Sequence, residues 1–225
     1  LSTLATILNI PNVETIEAFD ISNITGTNIV GGMVQFVNGN PCRTNYRKYN
    51  IPSLLNTRDD TAYIGQVIAR RYSRLLKEGS KLPNLILVDG GKGQVGAAVN
   101  NLRRLNLPIP VAGMVKNERH ETRSLINEYG EEISLHDKPE LYRLIYKIQE
   151  EVHRFAITFH RQQRIKTMIT SELDKIPGIG PKRKRLLLLR FKSVENIKKA
   201  TEEELIQSGL PSNVAEEVYK FFHAN

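Results

Sequence analysis

The 225-residue chain holds one cysteine, Cys42. That excludes an internal disulfide and a zinc site built on cysteine pairs, and a reducing cytosol is the expected setting. No apolar run approaches the roughly 20 residues needed to cross a bilayer, so no membrane contact is expected. The opening "LSTLATILNIPNVETIEAF" has neither a basic start nor a cleavage site, and no secretory leader is expected. Nor does the chain begin with Met; it is expected to be a piece of a longer protein. Acids are the minority charge, 24 Asp and Glu against 32 Lys and Arg, for a net +8 and a pI near 9.6. With 40% apolar residues the chain can bury a core, and such a basic excess points to a polyanionic partner, nucleic acid first.

Hydrophobic periodicity divides the chain. Residues 1–10 read as a short helix stopped by Pro11. "ETIEAFDIS" alternates as a strand, "TGTN" (25–28) is a turn, "IVGGMVQFV" (29–37) a second strand, "NGN" a hairpin turn and "CRTNYRKYNI" a third strand. "DDTAYIGQVIARRYSRLLKEG" has helical spacing, with Asp59 or Asp60 suited to cap its start and Gly79 its end. The apolar "NLILVD", helical "QVGAAVNNLRRL" and apolar "IPVAGMVK" then form parallel βαβ units. A hairpin turn at Glu128–Gly130 and a long helix from about Pro139 to Ile169 follow. Composition shifts near residue 170 toward short helices. The expected architecture is α/β, a mixed sheet with flanking helices over residues 1–168, then a small all-α unit over 169–225.

"NLILVDGGKGQVGAA" (84–98) ends an apolar strand in an acid and a nest of glycines. A phosphate-cradling P-loop needs Ser or Thr after its lysine, and here Gly93 follows Lys92. A nucleotide hydrolase is therefore disfavoured. Two readings of Asp89 stay open: it caps the following helix, or it does chemistry where open α/β sheets place their ligands. "EAFDIS" repeats the arrangement with Asp20. If the two strands are neighbours, the carboxylates meet, and a cation between them relieves their repulsion. Mg²⁺ or Mn²⁺ takes hard oxygen ligands and accepts phosphate oxygens. In a basic chain this suggests phosphodiester cleavage.

"EEVHRFAITFHRQQR" places His153 and His160 two turns apart on the long helix. Glu150, Glu151 and His153 cluster there, while Arg154, Arg161, Arg164 and Lys166 follow without an intervening acid. One end of the helix can reach a metal and the other can lie along a phosphate backbone. A solvated acidic face and surface ion pairs are the plainer alternatives.

"EAFDIS", "LVDGGKGQ", "EEVHRFAITFHR" and "IPGIGPKRKRLLLLRF", in this order, resemble the C-terminal half of the UvrC family, the excinuclease subunit of bacterial nucleotide excision repair. The resemblance covers nearly the whole chain. It implies a ribonuclease H-like endonuclease domain followed by a tandem helix-hairpin-helix domain, with incision on the 5′ side of a DNA lesion. It implies an Asp-Asp-His site at Asp20, Asp89 and His153, holding Mg²⁺ or Mn²⁺ with His153 as a further ligand or the acid-base group. One metal or two stays open. It also implies an acid just before the first long helix, matched by Asp59 or Asp60. The implied partners are double-stranded DNA with a lesion or single-strand junction, and the UvrB–DNA complex. The family's half that carries 3′ incision and the main UvrB contact is not in this chain. "SGLPSNVAEEVYKFF" departs from the first hairpin's pattern.

In "IPGIGPKRKR" the turn Pro177–Gly180 presents backbone N–H groups at a helix start, where a phosphate binds without base readout. Gly178, Gly180, Lys182, Arg183 and Lys184 are the expected contacts, with Arg161, Lys116 and Lys92 as further cations facing DNA. Leu186–Leu189 and Phe191 are expected to pack the hairpin. A catalytically inactive, structure-selective DNA-binding scaffold is the alternative to a nuclease.

Overall fold

The computed structural model describes residues 1–23, 28–52, 60–116 and 122–223, with side chains except those of residues 23, 28, 52, 122–123 and 159–171. It divides into two compact units, Leu1–His160 and Arg161–Asn225. In the first, α1 (Ser2–Ile7) precedes β1 (Thr15–Asn23) and β2 (Asn28–Val37). Then come β3 (Asn40–Pro41), β4 (Arg47–Pro52), α2 (Asp60–Glu78), β5 (Leu85–Val88), α3 (Lys92–Arg104) and β6 (Val111–Lys116). β7 (Thr122–Asn127) and β8 (Glu132–Ser134) lead into α4 (Pro139–Leu173). The strands form one sheet in the order β3-β2-β1-β5-β6-β7-β8, with β4 also pairing β2. β1, β5 and β6 run parallel at its centre; β2 and β7 flank them antiparallel. Residues 25–27 of the expected turn lie outside the described residues, and Asn28 opens β2.

The expected third strand is interrupted. Asn40–Pro41 pairs briefly with β2, a 3₁₀ turn takes Arg43–Asn45, and pairing resumes at Arg47. Pro41 has no N–H to continue a ladder. Asn45 and Tyr46 are instead tied by side chains: the Asn45 amide donates to Gln35 Oε1 (2.7 Å), and the Tyr46 hydroxyl to Glu151 Oε1 (3.0 Å).

Strand alternation sends residues to two cores. Phe19, Met33, Ile86, Val88 and Val111 meet α2 and α3 on one face. Ile16, Ala18, Val34, Leu85, Leu87, Ala112 and Met114 meet α1 and α4 on the other. α4 lies on this second face through Leu141, Ile145, Ile148, Val152 and Ala156, the three-and-four spacing of one helical stripe. It passes close over Gly32, where an added Cβ would stand 3.0 Å from Ala156 Cβ and 3.2 Å from its Cα. That glycine lets the helix settle onto the sheet.

Glu17 alternates with Phe19 and so points into the α2 layer, where it is 1% exposed. It accepts from Arg71 (Nη2 2.6 Å, Nε 3.2 Å), the Tyr72 hydroxyl (2.8 Å) and the Gln35 amide (3.1 Å). Four donors make a buried carboxylate tolerable and lock α2 to β1.

The second unit packs the end of α4 with α5 (Pro181–Phe191), α6 (Val194–Lys199), α7 (Glu202–Gln207) and α8 (Ser212–His223). Its core holds Leu173, Ile176, Ile179, Leu187, Ile197, Leu205, Leu210 and Val218. Two hairpins repeat one design. Gly178 (φ +82°) precedes buried Ile179 before α5, and Gly209 (φ +100°) precedes buried Leu210 before α8. Both glycines take the left-handed conformation that side chains resist. Of the leucine run expected to be core, Leu187 is buried and Leu186 and Leu188 are partly buried, but Leu189 is 70% exposed. Four consecutive helical residues span more than one face, so not all four can point inward.

The Glu17 lock sets a stability test. Arg71→Met leaves the carboxylate buried without its counter-charge and costs about 3–5 kcal/mol, while the double variant Glu17→Met, Arg71→Met recovers most of that loss. Urea midpoints of the two variants check the pattern.

Candidate metal centre

The carboxylate pair follows from strand register. β1 pairs β5 in parallel with Phe19 opposite Val88, and each strand continues into an aspartate. The Asp89 amide donates to the Phe19 carbonyl (2.8 Å), extending the ladder by one rung. By alternation Asp20 shares a face with Ile16 and Ala18, and Asp89 with Leu85 and Leu87, the face that α4 covers. Thus the two strands are apolar where the helix packs and acidic just beyond it. α4 brings His153 to the same place, one residue after buried Val152.

His153 Nδ1 lies 3.0 Å from Asp20 Oδ2 and 4.0 Å from Asp89 Oδ2. One ligand atom from each of the three residues lies within 4.8 Å of the others. The residues line a cleft with Gly90, Gly91, Met114, Val115 and Lys116. Asp20 and Asp89 side chains are 8% and 7% exposed and His153 is 45% exposed, so the acids are sheltered and the imidazole is open to solvent.

Burial first, and the Asp20 charge second, push the Asp89 carboxyl above its usual range; Lys116 and Gln149 pull it back. The hydrogen bond to Asp20 raises the His153 imidazole against the opposing effect of burial. Burial dominates the first shift and the Asp20 carboxylate the second, and two hard oxygens with an imidazole nitrogen suit Mg²⁺ or Mn²⁺.

Two further side chains complete the surroundings. Lys116, expected to face DNA, donates from Nζ to Asp89 Oδ2 (2.9 Å). Gln149, which the sequence reading passed over, is 1% exposed and donates from Nε2 to Asp89 Oδ1 (2.6 Å) and toward the Met114 carbonyl (3.3 Å). It stands one helical turn before His153, on the same side of α4, but in the sequence it is one polar residue among several.

Asp60 is the exposed first residue of α2 and is not in the cluster; Asp59 lies outside the described residues. The side chains of His160 and Arg161 are likewise outside the description. Lys92 is exposed at the first turn of α3. In the second unit Gly180 caps α5, space around it is open, and Lys182 is exposed. Arg183 donates from Nη1 to the Gly178 carbonyl (2.7 Å), bracing the turn. Lys184 departs from expectation. It is 9% exposed, its stem buried on the inner side of α5 with Leu187, and its ammonium is paired with Asp174. A residue three positions from a core leucine shares its face, so this cation serves packing.

Carboxylates on adjacent strands of a mixed sheet, joined by a histidine from a covering helix, define a ribonuclease H-like nuclease class. Residues 5–157 match the model of the UvrC RNAse H endonuclease domain, and residues 173–225 match that of the helix-hairpin-helix motif. The chain belongs to the UvrC RNase H endonuclease domain family. It is 55% identical to the UvrABC system protein C of Desulfitobacterium hafniense (strain Y51) over 225 residues, all of this chain and 37% of that protein. The corresponding protein of Streptococcus agalactiae serotype Ia is 49% identical over 217 residues, 95% of this chain and 36% of that one. The chain thus spans little more than a third of these relatives' length. Among solved structures, Ciona intestinalis Endonuclease V in complex with a 24mer DNA is 12% identical, with a TM-score of 0.45 over 67% of this chain and 87% of that one. No helix among the described residues is long and apolar enough to cross a membrane.

A carboxyl raised above its unfolded value favours the native state at low pH and loses that contribution as pH rises through the folded value. Asp89→Asn therefore melts higher than the unchanged chain in EDTA at neutral pH, and the gap closes as pH falls and Asp89 takes up its proton. Adding Mn²⁺ reverses the order by stabilising only the unchanged chain. Calorimetry across pH, with and without the ion, checks both.

Proposed function

We propose that this chain is the part of a UvrC protein that cuts DNA on the 5′ side of a lesion in bacterial nucleotide excision repair. Residues 1–168 act as a metal-dependent endonuclease and 169–225 as the unit that holds the DNA backbone. The observation that carries this reading is the Asp20–Asp89–His153 cluster at the ends of paired strands, in a chain of the UvrC endonuclease family. The substrate is duplex DNA with a lesion or single-strand junction, delivered by a UvrB–DNA complex in the bacterial cytoplasm.

Asp20, Asp89 and His153 are the residues that hold Mg²⁺ or Mn²⁺. The chemistry such an ion would supply is polarisation of the scissile phosphate and activation of the attacking water. The chain's own groups do the rest. Gly91 leaves open space beside the cluster, so a bulky phosphodiester can approach. Lys116 stands beside Asp89 with its side chain partly exposed, a cation suited to a non-bridging phosphate oxygen of the substrate. His153 offers Nδ1 toward the carboxylates and keeps the other ring edge toward solvent, where proton exchange with water is direct.

The helical unit supplies grip. The N–H groups at the start of α5, with Lys182 and Arg183 beside them, suit a phosphate and read no bases. The second hairpin keeps the shape and loses the chemistry. Each hairpin has one proline without an N–H at its helix start, Pro181 in the first and Pro211 in the second, so the difference lies in charge: Lys182 and Arg183 are matched by Asn213 and Val214 in α8. The first hairpin is therefore the one that meets DNA.

Asp20→Asn or Asp89→Asn abolishes Mn²⁺-dependent nicking of duplex DNA while binding persists. His153→Ala loses about 10²–10⁴-fold, far more than His160→Ala. A plasmid nicking assay with a chelator control separates this reading from an inactive scaffold. For the second unit, Lys182→Ala and Arg183→Ala each reduce the salt slope of DNA affinity by about 1. Lys184→Ala and Asn213→Ala leave that slope unchanged. Anisotropy titrations over a range of salt measure it.

A further inference from the structure

We infer that Gln149 is a positioning residue that fixes how Asp89 presents itself to the metal, and so sets which ion the site prefers. The inference rests on the metal-binding reading of the cluster.

Asp89 has two carboxylate oxygens, and the structure treats them differently. Oδ1 accepts from Gln149 Nε2 at 2.6 Å. Oδ2 is the oxygen that faces His153 Nδ1, at 4.0 Å, and it also accepts from Lys116. Lys116 is a partly exposed side chain, 26% accessible, and so less fixed than a buried one. Gln149 is 1% exposed within the stripe that seats α4, and its Nε2 also reaches toward the Met114 carbonyl on β6. One side chain thus ties helix, sheet and carboxylate together.

With Oδ1 turned toward a fixed donor, Asp89 presents Oδ2 toward the cluster, and two-oxygen ligation would require it to turn against that bond. Single-oxygen ligation suits Mg²⁺ and Mn²⁺, which take six ligands at short distances. Ca²⁺ favours seven or eight oxygens and commonly recruits both oxygens of a carboxylate. Gln149 therefore disfavours calcium by fixing the orientation of Oδ1. The helix shares in this twice, since Gln149 and His153 are one turn apart on α4. The same docking that sets the imidazole against Asp20 also turns Asp89.

The test is equilibrium binding of Mn²⁺ and Ca²⁺ to the full 225-residue chain without DNA, by calorimetry, for the unchanged protein and for Gln149→Met and Gln149→Asn. Met keeps the volume and removes the donor. Asn keeps the amide and falls one methylene short, and it serves if the Met variant does not fold. The expected result is Mn²⁺ affinity lowered about 10–100-fold, the range for partners that orient metal ligands. The loss for Ca²⁺ is smaller, so the Mn²⁺-to-Ca²⁺ affinity ratio narrows. A purely structural role would weaken both ions alike. A folded variant with an unchanged ratio overturns the inference while the metal site stands. An unchanged protein that binds no Mn²⁺ overturns the metal site and this inference with it.

Discussion

The parallel pairing of β1 with β5 is the constraint on which the rest depends. It forces Asp20 and Asp89 side by side, because each follows directly on a paired residue and the ladder leaves no freedom in where they emerge. Two charges at such separations repel by on the order of 3–4 kcal/mol at an effective dielectric near 20. A fold that only needed stability would not keep that arrangement. Here it is kept and surrounded with positive and hydrogen-bonding groups: Lys116 from β6, and His153 and Gln149 from α4.

One sheet face thereby does two things along its length. Near α1 and the middle of α4 it is a dry core of Ile16, Ala18, Leu85, Leu87 and Ala112. One step further along the same strands it is an acidic cleft. The transition is sharp because alternation returns the side chain to the same face every second residue. α4 spans both regions, apolar through Ile145, Ile148 and Val152, then polar at Gln149 and His153 on its flank. Its close approach over Gly32 is one of the contacts that seat it on the sheet. Packing and chemistry are therefore one problem of helix placement, and the Glu17–Arg71 lock on the opposite face holds the other side of the same sheet.

Much of this was legible in the sequence, for identifiable reasons. β5 is a bare apolar run and α2 a long periodic one, patterns with few competing interpretations. The repeat of an apolar strand ending in Asp pointed to the acid pair before any contact was known. What escaped notice needed three dimensions. Gln149 reads as one polar residue among several on an amphipathic helix, and only the close approach of β6 makes it buried and bonded. Lys184 sits in the basic run "KRKR", where composition suggests DNA, but its angle on α5 turns it inward to Asp174. Leu189 shares the apolarity of its neighbours and faces the other way. The break at Pro41 was visible as a residue type, but the 3₁₀ turn after it follows from contacts that Asn45 and Tyr46 make with β2 and α4.

The Lys116 ammonium on Asp89 bears on how the protein matures. A newly made chain carries its own resident cation where the repulsion is greatest, so the sheet can close before any ion is captured. Assembly and loading become separate events.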